Sequence, residues 1–198
     1  DEAHLFKAKS LTTIMEKLSS CKYRFGFTGT LDGTETNKLV LEGLFGPVKR
    51  VASTADLIEQ KHLADLRIKV LMLKYPDAVR KANKGNDYQT EMDFIVRHLG
   101  RNRFIKNLTL SLEGNILVLF QYVEKHGKDL HADIVASAPD RKVFFIHGGV
   151  DGVERDDIRK LVETEKNSII IASSGTFSTG VNIKNLHNII FASPSKSK

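Results

Sequence analysis

Between residues 115 and 191 the chain alternates apolar runs of strand length with segments of helical periodicity, and this alternation limits the available folds more than any other feature. Strands are predicted at Asn115 to Phe120, Lys142 to Ile146, Ser168 to Ala172 and Asn188 to Phe191, with helices at Val123 to Val135 and Val153 to Glu163. Strand, helix, strand at this spacing predicts crossover connections and an α/β fold with a mostly parallel sheet covered on both faces. In such sheets ligands sit beyond the carboxyl ends of the strands. The loops after Phe120, Ile146 and Ala172 are therefore where chemistry is expected.

Those loops hold Gln121 and Tyr122; His147-Gly148-Gly149; and the run Ser173-Ser174-Gly175-Thr176-Phe177-Ser178-Thr179-Gly180-Val181-Asn182. Glycines let a ligand approach the backbone, and hydroxyls with main-chain N–H groups are short donors to phosphate oxygens. Any one such loop could simply turn the chain. Three at one sheet edge point to a phosphate-bearing ligand.

The first two thirds are less regular. A short helix is expected from Ser10, as N-cap, to Leu18, followed by an aromatic, alternating strand from Tyr23 to Thr28 that ends in Thr28-Gly29-Thr30. A second helix is expected over Glu35 to Glu42, closed by Gly43 and Gly46-Pro47. The apolar run Leu66 to Leu73 reads as a strand that becomes buried on both faces, stopped by Tyr75-Pro76. Asp77 to Asp87 is polar and basic, as a connection would be. A long helical stretch from Tyr88 to Glu113, broken near Gly100, follows.

Charge adds a location. Residues 1–60 carry eight basic and eight acidic side chains and residues 111–198 eleven of each, so the net charge of +6 comes from 61–110, with eleven basic against five acidic. A basic segment of this kind suits a polyanion as well as a solvated helix. The single cysteine, Cys21, rules out an internal disulfide framework and the cysteine-rich zinc sites. No run approaches the length of a membrane span and no signal-like segment opens the chain, so a soluble, cytoplasmic protein without a membrane partner is predicted. Isolated histidines such as His62, His98, His131 and His187 lack zinc spacing.

The order of the short motifs carries a family resemblance. Asp1-Glu2-Ala3-His4, then Phe27-Thr28-Gly29-Thr30, then Val118-Leu119-Phe120, then His147-Gly148-Gly149 with Arg155 at the next helix, then the serine-rich loop ending Thr179-Gly180-Val181-Asn182, resembles the superfamily 2 DEAD/DEAH-like helicases. The phrases FGFTGTLDG, GLFGPV, KYPD and SSGTFSTGVNIKNLHNIIFASPSKSK are most similar to the UvsW-type phage helicases of recombination and repair. The resemblance implies RecA-like lobes of the P-loop NTPase type. Residues 1–60 would be the C-terminal part of one lobe, 61–87 a connecting strand and linker, and 88–198 most of a second lobe.

It also implies roles. ATP and Mg2+ would be the cofactors, with Asp1 the metal-linked carboxylate, Glu2 nearby and positioning the attacking water, and His4 coupling hydrolysis to nucleic acid. Thr28, Gly29 and Thr30 would share that coupling. Phe120, Gln121, Gly148, Ser173, Ser174 and Thr176 would line the nucleic-acid backbone, and Gly180 and Asn182 would approach the nucleotide. Many relatives carry Asp where this chain has Asn182. The expected partner is branched or single-stranded DNA or an RNA–DNA hybrid. Two motifs of such enzymes are not found in these 198 residues: Gly-x-x-x-x-Gly-Lys-Ser/Thr, which cradles phosphates, and the Gln-x-x-Gly-Arg-x-x-Arg run that supplies arginine fingers. The expectation is therefore the central piece of an ATP-dependent DNA helicase, inactive in hydrolysis by itself. A non-catalytic RecA-like module that binds nucleic acid or protein is the alternative.

Overall fold

The computed structural model describes residues 2–5, 9–29, 31, 35–176 and 183–194, which fall into two compact units, 1–70 and 71–198.

In the second unit, β1 (Ile116–Phe120), β2 (Val143–Ile146), β3 (Ile169–Ser173) and β4 (Asn188–Phe191) form one sheet in the order β2-β3-β1-β4, with every pairing parallel. The four predicted strands are thus present to within a residue. β1 and β3 are the inner strands, and all five residues of each are buried. That is why they read as unbroken apolar runs, Ile-Leu-Val-Leu-Phe and Ile-Ile-Ile-Ala-Ser, instead of alternating.

One face of the sheet presents Ile116, Val118, Phe120, Ile169 and Ile171 to Ile105, Leu130 and Ile134. These last three come from the helices Leu99–Ser111 and Lys128–Ser137. The opposite face packs Leu117, Leu119, Ile170, Ala172 and Ile146 against Val162 of the helix Gly152–Thr164. Each fully buried Ile or Val contributes roughly 1.5–3 kcal/mol. Leaving β1 the chain crosses one face, and returning from β2 to β3 it crosses the other, as a constant crossover hand requires.

Helices of this unit are Asp77–Ala82, Tyr88–Arg97, Leu99–Ser111, Lys128–Ser137 and Gly152–Thr164, with a π turn at Val123–Gly127. The long stretch after Tyr88 does break, at His98 and not at Gly100. His98 leaves helical geometry and its Nδ1 accepts the Arg101 N–H at 3.1 Å, making it the cap of the second helix. The segment after Pro76, expected as plain connection, contains the helix Asp77–Ala82.

In the first unit the helix expected from Ser10 begins one residue earlier, at Lys9–Lys17, so Ser10 lies inside it. Glu35–Phe45 runs through Gly43 and is terminated by Gly46, whose φ of +90° suits a helix end and whose N–H reaches the Glu42 carbonyl at 2.9 Å. The helix Thr54–Glu59 was not anticipated, although Ser53 and Asp56 form a capping box that the sequence spells out.

Two expected strands are not formed. Tyr23–Thr28 is extended but makes no ladder, and Leu66–Leu73 is likewise unpaired, with Ile68 and Val70 about four fifths exposed. An apolar or alternating run gives a chain the propensity for a strand, but the strand itself consists of hydrogen bonds to a neighbour. Among the described residues neither segment forms such a ladder, although the Phe27 carbonyl accepts the Ala3 N–H.

Candidate nucleic-acid interface

Of the residues expected at the site, Asp1, Thr30, Gly180 and Asn182 lie outside the described residues. The others form two groups, one in each unit.

In the first unit the Ala3 N–H donates to the Phe27 carbonyl at 2.9 Å, which lays the opening motif alongside Phe27-Thr28-Gly29. Gly26 makes this approach feasible: a Cβ there would stand 3.0 Å from both Ala3 Cβ and Phe45 Cγ. As a result His4 Nδ1 sits 2.7 Å from Thr28 Oγ1 and 3.2 Å from a Glu2 carboxylate oxygen. Two motifs separated by 24 residues therefore share one imidazole. Glu2 adopts φ +52°, an uncommon backbone conformation that tends to occur at functional positions. A carboxylate and a hydroxyl that meet at one imidazole nitrogen can together orient a water. Among the described residues no group of three or more His, Cys, Asp or Glu side chains could hold a metal ion.

In the second unit the carboxyl ends of β1, β3 and β4 are tied to one another. Ser174 donates its N–H at 2.8 Å and its hydroxyl at 3.1 Å to the Phe120 carbonyl. Gln121 donates its N–H to Ser193 Oγ at 3.0 Å, just beyond β4. Ser173 Oγ and Thr176 Oγ1 are 2.6 Å apart and Thr176 N–H returns to the Ser173 carbonyl, closing a tight turn after β3. Phe120, Gln121, Ser173, Ser174 and Thr176 are thus gathered at one edge. Gly148, in the loop after β2, is exposed, and a Cβ there would meet nothing within 4 Å. Among the described residues internal packing gives no reason for glycine at that position.

Beneath this edge lies a buried polar chain that sequence reasoning missed. His126 is fully buried, with Nδ1 3.1 Å from Ser193 Oγ and Nε2 3.2 Å from Asn102 Oδ1. Asn102 Nδ2 donates in turn to the Val96 carbonyl at 2.9 Å. The sequence signal was an Asn on the apolar face of the helix Leu99–Ser111, where a buried amide needs a partner. Lys125, one residue before His126, is engaged by Asp93 at 2.9 Å.

Burial holds the His126 pKa down at about 4, and the Arg101 guanidinium beside it adds to the effect. The folded protein therefore keeps His126 neutral while the unfolded chain takes up a proton near pH 6.5. Stability from this group is complete above pH 6.5 and is lost as pH falls from 6.5 toward 4, by at most about 3 kcal/mol. Urea unfolding at pH 7.0 and 4.5 should show this loss, and a His126→Gln variant should flatten the dependence in that window.

The basic segment 61–110 keeps some of its charge exposed. Lys81, Lys84 and Arg103 are exposed and make no ion pair among the described residues. No helix among the described residues is long and apolar enough to cross a membrane.

Residues 100–198 match the family description of the helicase conserved C-terminal domain. Over 201 aligned positions the chain is 36% identical to the ATP-dependent DNA helicase uvsW of Enterobacteria phage T4, and the alignment covers 100% of this chain and 39% of that protein. The chain spans about two fifths of the length of the curated relative it matches.

Proposed function

The chain belongs to the family of the helicase conserved C-terminal domain, and from that premise we propose that it serves an ATP-dependent DNA helicase or translocase acting on branched DNA in recombination and repair. Single-stranded DNA or one strand of an RNA–DNA hybrid would lie across the loops after β1, β2 and β3, in the cytoplasm of an infected host cell. The carrying observation is the joined edge formed by Phe120, Gln121, Ser173, Ser174 and Thr176, rich in hydroxyls and beside the open Gly148. Such an edge, fixed by its internal bonds and with Gly148 open beside it, suits the approach of a nucleic-acid backbone and reads no base, as a motor that moves over any sequence requires. The Glu2-His4-Thr28 cluster suits the water-handling and coupling steps. Phosphoryl transfer needs a held triphosphate, an oriented water and cationic stabilisation.

ATP and Mg2+ would supply the driving reaction. Asp1 is the proposed metal-linked carboxylate, and Gly180 and Asn182 are proposed to approach the nucleotide. The described residues fit the water-orienting half of that chemistry and not the phosphate cradle, for which the 198 residues carry no Gly-x-x-x-x-Gly-Lys-Ser/Thr.

Fluorescence anisotropy with labelled single-stranded and forked DNA tests the binding. With three phosphates contacted, raising salt from about 50 to 200 mM should weaken affinity roughly twenty-fold. Affinity that does not change with salt would remove the phosphate-gripping edge. ATP turnover by the 198-residue chain above that of a Glu2→Ala control would show that these residues hydrolyse ATP without such a loop.

A further inference from the structure

The buried chain behind β1 has a determined direction. Asn102 uses its Nδ2 on the Val96 carbonyl, so its Oδ1 faces His126 and can only accept. His126 must therefore carry its proton on Nε2, which leaves Nδ1 as an acceptor. The hydrogen that meets Nδ1 is that of the Ser193 hydroxyl at 3.1 Å. With its own hydrogen committed, Ser193 Oγ presents lone pairs to the Gln121 N–H at 3.0 Å. Asn102, His126 and Ser193 each have one donor role and one acceptor role, and reversing Asn102 or His126 leaves a buried group unsatisfied.

The two ends of this chain are informative. One end is the main chain at the break between the helices Tyr88–Arg97 and Leu99–Ser111, and the other is the first residue beyond β1. We propose that His126 is a positioning residue which, held as the Nε2–H tautomer between Asn102 and Ser193, fixes the Ser193 hydroxyl on the Gln121 N–H and thereby sets the β1 exit against the DNA backbone. The DNA clause rests on the reading given under Proposed function. The relay itself does not. Ser193 is also where the chain leaves β4, so one hydroxyl sets the relative height of two strand ends, and the Ser174 bonds to Phe120 bring in the third.

The test uses the 198-residue chain and three variants, Ser193→Ala, Ser193→Thr and His126→Gln. Nitrogen-15 NMR of the imidazole should show the proton on Nε2 and none on Nδ1; the opposite tautomer overturns the relay. Loss of one hydrogen bond should speed exchange of the Gln121 amide about tenfold in Ser193→Ala. The Ile171 amide should be unaffected, and Ser193→Thr should behave as the parent. Unchanged Gln121 exchange in Ser193→Ala also overturns the relay, whether or not His126→Gln folds. Single-stranded DNA affinity should fall about tenfold in Ser193→Ala and recover in Ser193→Thr. Faster amide exchange with undiminished affinity would refute the positioning role. A parent chain that binds no DNA would refute the functional reading, and tautomer and exchange would still decide the relay.

Discussion

Replacing Asn115 by alanine is expected to cost about 3 kcal/mol or more and to move the urea midpoint of the second unit accordingly. Asn115 is fully buried immediately before β1. Its Nδ2 lies 3.1, 2.8 and 2.8 Å from the carbonyls of Val162, Glu165 and Asn185, and its Oδ1 accepts the N–H and the hydroxyl of Ser168 at 2.8 and 2.9 Å. One amide thus joins the end of the helix Gly152–Thr164, the start of β3 and the approach to β4. Alanine leaves several buried groups without partners, and each unsatisfied group costs about 1–3 kcal/mol. Water entering the space would recover part of this. Asn115→Asp should be worse still, because a carboxylate would replace donors that face three carbonyl oxygens. Equal midpoints for the parent and Asn115→Ala would show that the amide is not what holds these elements together.

Gly127→Ala is expected to destabilise by about 1–3 kcal/mol and to weaken DNA binding as well. A Cβ on Gly127 would fall 2.5 Å from Phe120 Cε2 and 2.6 Å from its Cζ. Phe120 cannot yield easily, since it is fully buried and stacks on Phe145 with ring centroids 5.5 Å apart. The strain should therefore pass to the end of β1, where the Phe120 carbonyl and the Gln121 N–H hold the neighbouring loops. A double variant with Phe120→Leu should recover part of the stability by vacating the clash. If the single substitution left both stability and affinity unchanged, the close packing of the π turn on β1 would have no energetic weight.

How much of this was legible in the sequence depends on where the interactions lie. The sheet was readable because Ile116 to Phe120 and Ile169 to Ser173 are buried on both faces, and double burial imposes a continuous apolar run that survives any detail of packing. Glu2, His4 and Thr28 were readable only through motif order, since nothing local indicates that residues 24 positions apart share an imidazole. The chain Asn102, His126, Ser193 was readable only at its first member, an amide on an apolar helix face. Its members are polar residues of ordinary types, and what distinguishes them is burial created by elements far away in sequence. The failures at Tyr23–Thr28 and Leu66–Leu73 have the opposite cause: local preference was present, and among the described residues no strand pairs with them in a ladder. His98 shows a third case, a break set by one side chain bonding back to the main chain, which no hydrophobic period reveals.

Every pairing in the sheet is parallel, and this has a mechanical consequence. A moving DNA strand would pull on the loops beyond Phe120 and Ser173 roughly along the strand axes. In that direction the evenly spaced bonds of β1 with β3 and β4 are strained together in shear, and none can open before its neighbours. At the far end of the sheet Asn115 and Arg141, the latter donating to the carbonyls of Thr109, Leu112, Gly114 and Asn167, keep the strands from sliding. The sheet would thus act as a stiff tie rod, delivering a step at its loops to the helices behind it without stretching.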